Sequence, residues 1–207
     1  MRRILVADYI KRIRNKELEK REKEVINDVE DAYVKWKKSL SFYDFLVFLD
    51  KIHSNESIIM KNLGGFPQSY GRFRAIAFEE FIFDFLKKIF SDKEDIIIYW
   101  NTNVVIKIPI DYYLRPDFTI IRNGRNIVFV EAKIEVDSQR IKSTTLDYLI
   151  LKKNYSNTLN VLIYHTLDGD RKLIELARHL SFDYIICLKE NSDEELKIFR
   201  EWLYRSI

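Results

Sequence analysis

The clearest pattern in the chain is a pair of short apolar runs, Phe118-Thr-Ile-Ile and Ile127-Val-Phe-Val, flanking Asn123-Gly124. That dipeptide between β-branched runs is the strongest short-range signal for a two-residue hairpin turn. It predicts paired strands over 117–122 and 126–133. Upstream, residues 8–38 lack Pro and Gly and are dense in Lys, Arg and Glu. Their sparse apolar positions are Ile10, Ile13, Leu18, Val25, Val29 and Trp36. This predicts one long, mostly exposed helix, either solvated and held by a narrow stripe or serving as a coiled-coil arm. A strongly apolar helix is expected over 42–53. A connecting loop over 55–71 is expected from Gly64, Gly65, Pro67 and Gly71.

The next helix, 72–90, places Phe78, Ile82, Phe85, Leu86 and Ile89 on one face at 100° per residue. Glu79 falls at the border of that face. Glu80 falls opposite, with Asp84 and Lys87, and is expected to be solvated. A strand-rich stretch over 96–108, broken near Asn101–Asn103, precedes the hairpin. After it come a helix from an Asp137 or Ser138 cap to about residue 153, a buried strand at 160–164, a helix at 170–180, a strand at 183–188 and a helix at 193–204. The order predicts an α/β fold, a mixed sheet flanked by helices. It carries an N-terminal helical arm over 1–55 and a second domain over 70–207.

Composition narrows this only slightly. With 207 residues, 47% hydrophobic and 32% charged, the chain suits a folded globular protein. Net charge is +3, so any nucleic-acid surface must come from local clusters of Lys and Arg. The single Cys187 lies in a strand-like run and reads as a buried, inert thiol. One cysteine leaves no intrachain disulfide or cysteine-based zinc site, which suits a reducing cytoplasm. No apolar run is long enough for a membrane span.

The chemistry concentrates in the hairpin. Closing the turn at Asn123-Gly124 brings Asp117, at the start of one strand, beside Glu131, near the end of the other. Lys133 is two residues on, and the strand period of two points it to the face of Glu131. Two carboxylates and a lysine beside an apolar sheet need a partner, and a hard divalent cation supplies one.

Pro116-Asp117, thirteen residues, then Glu131-Ala132-Lys133 resembles the signature of the PD-(D/E)XK nuclease superfamily, which includes restriction endonucleases and archaeal Holliday-junction resolvases. The resemblance covers about residues 70–165. It implies a restriction-endonuclease-like core and a DNA endonuclease dependent on magnesium, with manganese as a substitute. It also implies Asp117, Glu131 and the Ala132 carbonyl as metal ligands, Glu79 as a further metal-side acid, and Lys133 beside the attacking water. Whether Lys133 deprotonates that water, orients it or stabilises charge stays open. Arg115, Gln139 and Lys142 are candidate nucleic-acid contacts. A homodimer is expected, because cutting both strands of a duplex needs two symmetric sites. An RNA-cleaving or exonuclease relative, or a non-catalytic nucleic-acid-binding protein on the same fold, is the alternative.

Overall fold

The computed structural model describes residues 3–107, 111–189 and 192–207. The chain divides into two compact units. One comprises Met1–Phe85 and Glu190–Asp193, the other Leu86–Lys189 and Glu194–Ile207. No helix among the described residues is long and apolar enough to cross a membrane.

The first unit is helical. It contains α1 (Val6–Arg14), α2 (Lys20–Ser39), α3 (Phe42–Ser54), α4 (Glu56–Asn62) and the greater part of α5 (Pro67–Ile89). The single helix expected over 8–38 is therefore two. The break is built by a capping box, in which the Glu19 amide donates to the Glu22 carboxylate at 3.0 Å and opens α2. The expected loop over 55–71 is also mostly helix. Gly64 and Gly65, at φ of 110° and 81°, end α4. Pro67 then opens α5, where its missing N–H costs nothing.

Alpha-2 is held by a narrow buried stripe with most of its other positions exposed, the first of the two alternatives expected for this segment. Ile26, Val29, Ala32 and Trp36 are buried, and the Trp36 ring lies 5.6 Å from Phe45 and 5.9 Å from Phe81. The stripe that was expected to seek a second subunit is covered inside its own chain. That argument for a dimerisation arm lapses.

The wheel of α5 is likewise richer than one apolar face. Phe73, Ala77 and Phe81 are buried along a second face, and Glu80, seven residues after Phe73, lies on it. Glu80 is thus 1% exposed and not solvated. Its carboxylate accepts from the Val6 amide at 2.8 Å, the Tyr33 hydroxyl at 2.8 Å and the Lys37 ammonium at 2.9 Å. Burial and the Glu80 charge hold Tyr33 protonated well above its ordinary range. Glu79 meets Arg3 at 3.5 Å.

The second unit is a mixed α/β layer structure. Its five-stranded sheet runs β1 (Ile96–Trp100), β4 (Phe118–Arg122), β5 (Arg125–Asp137), β6 (Leu159–Asp168), β7 (Tyr184–Cys187). The first three strands are antiparallel neighbours, and β6 and β7 add parallel to β5. Beta-2 (Val104–Lys107) pairs with β3 (Asp111–Leu114) as a separate two-stranded ribbon. Beta-3 has no counterpart in the sequence reading, and Ile108, the expected end of the earlier strand stretch, lies outside the described residues. Helices α6 (Ser138–Asn154), α7 (Arg171–Leu180) and α8 (Asp193–Ser206) follow the strands. Asp137 caps α6 by accepting from the Gln139 and Arg140 amides. The predicted mixed sheet flanked by helices, with a helical N-terminal region, is the observed architecture.

One prediction follows from Glu80. Glu80→Ala leaves a buried amide and a hydroxyl without their acceptor and leaves the Lys37 ammonium only Asp84, which should cost about 2–4 kcal/mol. Glu79→Ala, which removes a longer and partly exposed pair, should cost under about 1 kcal/mol. Chemical denaturation of the two variants measures the difference, and equal losses would refute this account of α5.

Candidate active site

The site is assembled from one hairpin. Asn123 and Gly124 both adopt positive φ, 50° and 77°, as the two-residue turn requires. The ladder from that turn runs to Phe118 opposite Val130. One step further, Asp117 faces the level of Glu131 and Ala132. Its Oδ2 accepts the Ala132 amide at 2.9 Å, so the carboxylate closes the open end of the ladder. The Asp117 carbonyl accepts the Asn101 amide at 2.7 Å, which fixes the chain on its other side.

Lys133 completes the cluster. Its Nζ lies 2.6 Å from Glu131 Oε1 and 3.1 Å from Asp117 Oδ2. The Asp117 and Glu131 side chains are only 10% and 12% exposed, whereas Lys133 is 30% exposed. Solvent therefore reaches the cluster past the ammonium. Glu131 Oε2 accepts the Tyr148 hydroxyl at 3.2 Å. The Tyr148 ring is itself held at 4.6 Å from Phe182.

Burial and the neighbouring Asp117 charge push the Glu131 carboxyl up, against the opposing pull of Lys133 and Tyr148. Burial alone would lower Lys133, but the two carboxylates more than offset it and raise it. Burial raises Tyr148 well above its ordinary range, so it stays a hydrogen-bond donor. Burial also raises Asp147, with the charge of Lys133 acting against that shift.

Tyr148 and Asp147 did not figure in the sequence reading. The signal for Tyr148 was present: it stands seven residues after Ile141, on the α6 face that buries Ile141, Thr145 and Leu151. A polar-tipped ring on a buried face needs a partner. Which group it would meet depended on how α6 lies on the sheet.

The remaining candidates are placed as follows. Arg115 is exposed, and its Nε donates to the Asn101 carbonyl at 2.8 Å. Gln139 and Lys142 are exposed on the first turns of α6. Glu79 belongs to the helical unit, on Arg3. Two further cations of this unit are paired, Arg122 with Asp95 at 2.6 Å and Lys152 with Asp183 at 2.9 Å.

No protein-family model matches the sequence, and no curated protein is recognisably similar to it. Among solved structures, the chain is similar to protein VC1899 from Vibrio cholerae, at 12% identity and a TM-score of 0.51. That likeness covers 99% of this chain and 62% of VC1899, so the chain spans less than two thirds of that protein's length. It is also similar to the native BbvCI A2B2 tetramer, at 14% identity and a TM-score of 0.44, covering 97% of this chain and 95% of the other. At such identities the likeness concerns fold and leaves activity to the residues themselves.

Those residues suit a hard divalent cation. Among the described residues, no three His, Cys, Asp or Glu side chains gather as a metal-binding group. Magnesium, however, is commonly held by one or two carboxylates and keeps several waters. The donors here are all oxygen, and the two carboxylates already share one cation, the Lys133 ammonium. In a strand, the N–H and C=O of one residue point to the same side. The Ala132 amide donates to Asp117, so its carbonyl also faces that side, where the ladder has ended.

The raised Glu131 has a consequence for the metal-free protein. Its folded pKa, about 7, lies above the ordinary carboxylate value of 4.5. Stability from this group is complete below the unfolded value and is lost as pH rises towards the folded one. The wild-type protein should therefore lose stability between pH 4.5 and 7 relative to Glu131→Gln. Denaturation of both proteins across that range in EDTA measures it, and parallel pH profiles would refute it.

Proposed function

We propose that Asp117, Glu131 and Lys133 form the centre of a magnesium-dependent nuclease that hydrolyses phosphodiester bonds, with DNA as substrate. The observation that carries this reading is the single ammonium shared by two nearly buried carboxylates at the end of a hairpin ladder. The PD-(D/E)XK resemblance adds the order of those residues along the chain.

Asp117 and Glu131, with the Ala132 carbonyl, would hold Mg2+ or Mn2+. When bound, the cation supplies charge neutralisation at the phosphate oxygens and a lowered pKa for a coordinated water. The protein's own groups do the rest. The Ala132 amide fixes the Asp117 carboxylate, and the Tyr148 hydroxyl fixes that of Glu131. Lys133 offers a positive charge on the solvent side, where a phosphate would enter. Arg115, Gln139 and Lys142 are proposed contacts to the nucleic-acid backbone. Two such sites in a homodimer would cut both strands of a duplex.

Purified protein incubated with plasmid, linear duplex, single strand, four-way junction and RNA, in magnesium against EDTA, tests the reading. Cleavage that requires magnesium is expected. Asp117→Asn and Glu131→Gln should each reduce it at least about a hundredfold, the scale of a lost charge-stabilising group at a reaction centre. The folded state, followed by thermal melting, should survive both changes. Cleavage unchanged in either variant would overturn the assignment. The resemblance adds Glu79 as a further metal-side acid, and a magnesium titration of Glu79→Ala reads that role directly.

Tyr148→Phe tests the support of Glu131. Removing the hydroxyl should weaken magnesium affinity by about tenfold, the effect expected of a group that orients a ligand, and leave the rate at saturating metal closer to normal. An unchanged metal titration would separate Tyr148 from the site.

A further inference from the structure

A cleft of about 290 Å³ opens on the sheet unit, lined by Tyr99, Asn103, Val105, Thr119, Asn126 and Tyr155 among others. It shares a sheet face with the cluster of Asp117, Glu131 and Lys133. Thr119 follows Asp117 by two residues and so points to the same face. It pairs with Tyr99 on β1 and Phe129 on β5. Phe129 precedes Glu131 by two. A register shift at Ile120/Ile121 sets Asn126 opposite Ile121 and leaves Ile127 without a partner, which brings Asn126 to this face as well.

Asn101 directly precedes the lining residues Thr102 and Asn103 and is fixed to the chain of the cluster. Its amide donates to the Asp117 carbonyl, and its carbonyl accepts from Arg115. Whatever fills the cleft is therefore attached, through two residues of chain, to the proposed reaction centre.

The cleft has an unmet need. Thr119 is 2% exposed and lines it, yet the Thr119 hydroxyl has no hydrogen-bond partner. A buried hydroxyl left in that state is costly, and a ligand heteroatom would relieve it. The other walls are aromatic or amide. Tyr99 is 41% exposed. Tyr155 is held with its hydroxyl on the Val105 carbonyl at 2.6 Å and its ring at 5.5 Å from Phe129. No lining residue is charged.

We infer that this cleft is a subsite for one unpaired nucleobase of the strand whose phosphate lies at Asp117 and Glu131. The inference rests on the nuclease reading and narrows its substrate to nucleic acid with an unpaired nucleotide beside the cut. An unpaired base offers a π face to the tyrosine rings and ring heteroatoms to the Thr119 hydroxyl and the Asn103 and Asn126 amides. A base inside a duplex has its face and its pairing edge already occupied. The division of labour is also electrostatic. The phosphate is met by the cation site and Arg115, and the uncharged base by an uncharged cleft.

The test uses the full chain and short labelled oligonucleotides. Binding is read by fluorescence anisotropy in calcium, and cleavage is followed separately in magnesium. A single strand should bind more tightly than the duplex of the same sequence. One abasic nucleotide, moved along the strand, should weaken binding by about tenfold or more at one position. Tyr99→Ala should lose a similar factor on the intact strand and little more on the strand abasic at that position, while Tyr99→Phe keeps the ring and the affinity. Thr119→Val should lose several-fold on the intact strand and nothing further on the abasic one.

Affinity that is indifferent to the abasic position, or a Tyr99→Ala loss equal on both strands, would overturn the subsite. Magnesium-dependent cleavage in that case leaves the nuclease reading standing. Base-dependent binding without cleavage would overturn the nuclease reading and leave the subsite.

Discussion

The sheet unit is organised around one electrostatic problem, two carboxylates drawn together at the end of a hairpin. Asp117 and Glu131 are nearly buried, and burial together with the Asp117 charge makes Glu131 harder to ionise. Lys133 relieves this by touching both at 2.6 and 3.1 Å. Each carboxylate of the triad has one further donor. The Ala132 amide and the Tyr148 hydroxyl take one carboxylate oxygen each. A cluster of this kind does not contribute much to stability, because desolvation offsets most of its attraction.

The helical unit solves a similar problem differently. Glu80 is more deeply buried than either carboxylate of the sheet unit, yet it is fully answered by an amide, a hydroxyl and an ammonium. It ties α1 and α2 to α5 and has no vacancy for a ligand. The contrast separates a buried acid closed off by its partners from a pair that solvent can reach. Glu80 meets three partners from two helices that close over it, whereas Asp117 and Glu131 share an ammonium that solvent can reach.

Much of the sheet unit was legible in the chain because its signals are local. Asn123-Gly124 carries the positive φ values of the turn within itself, and the period of two then aligns Asp117, Glu131 and Lys133 without further information. Asp137 marks the start of α6 for the same reason, since a cap is made to the next two or three amides. Beta-3 was missed because Tyr112 and Tyr113 are exposed and alternate with nothing apolar. The helical unit was harder. Gly64, Pro67 and Gly71 look like a loop, but two of these residues end or start helices, and only neighbouring helices decide that α5 extends back to Pro67.

The sequence by itself thus determined the turn, the strand pairing beside it and the identity of the charged triad, all of which follow from contacts a few residues long. The tertiary structure decided which face of α5 is buried, because Trp36 and Phe45 arrive from distant segments to cover Phe81 and enclose Glu80 with it. It also decided that Tyr148 meets Glu131 and that Thr119 is left without a partner. Helical and strand periods say which residues share a face. They do not say what lies against that face, and burial, charge and hydrogen bonding all depend on the answer.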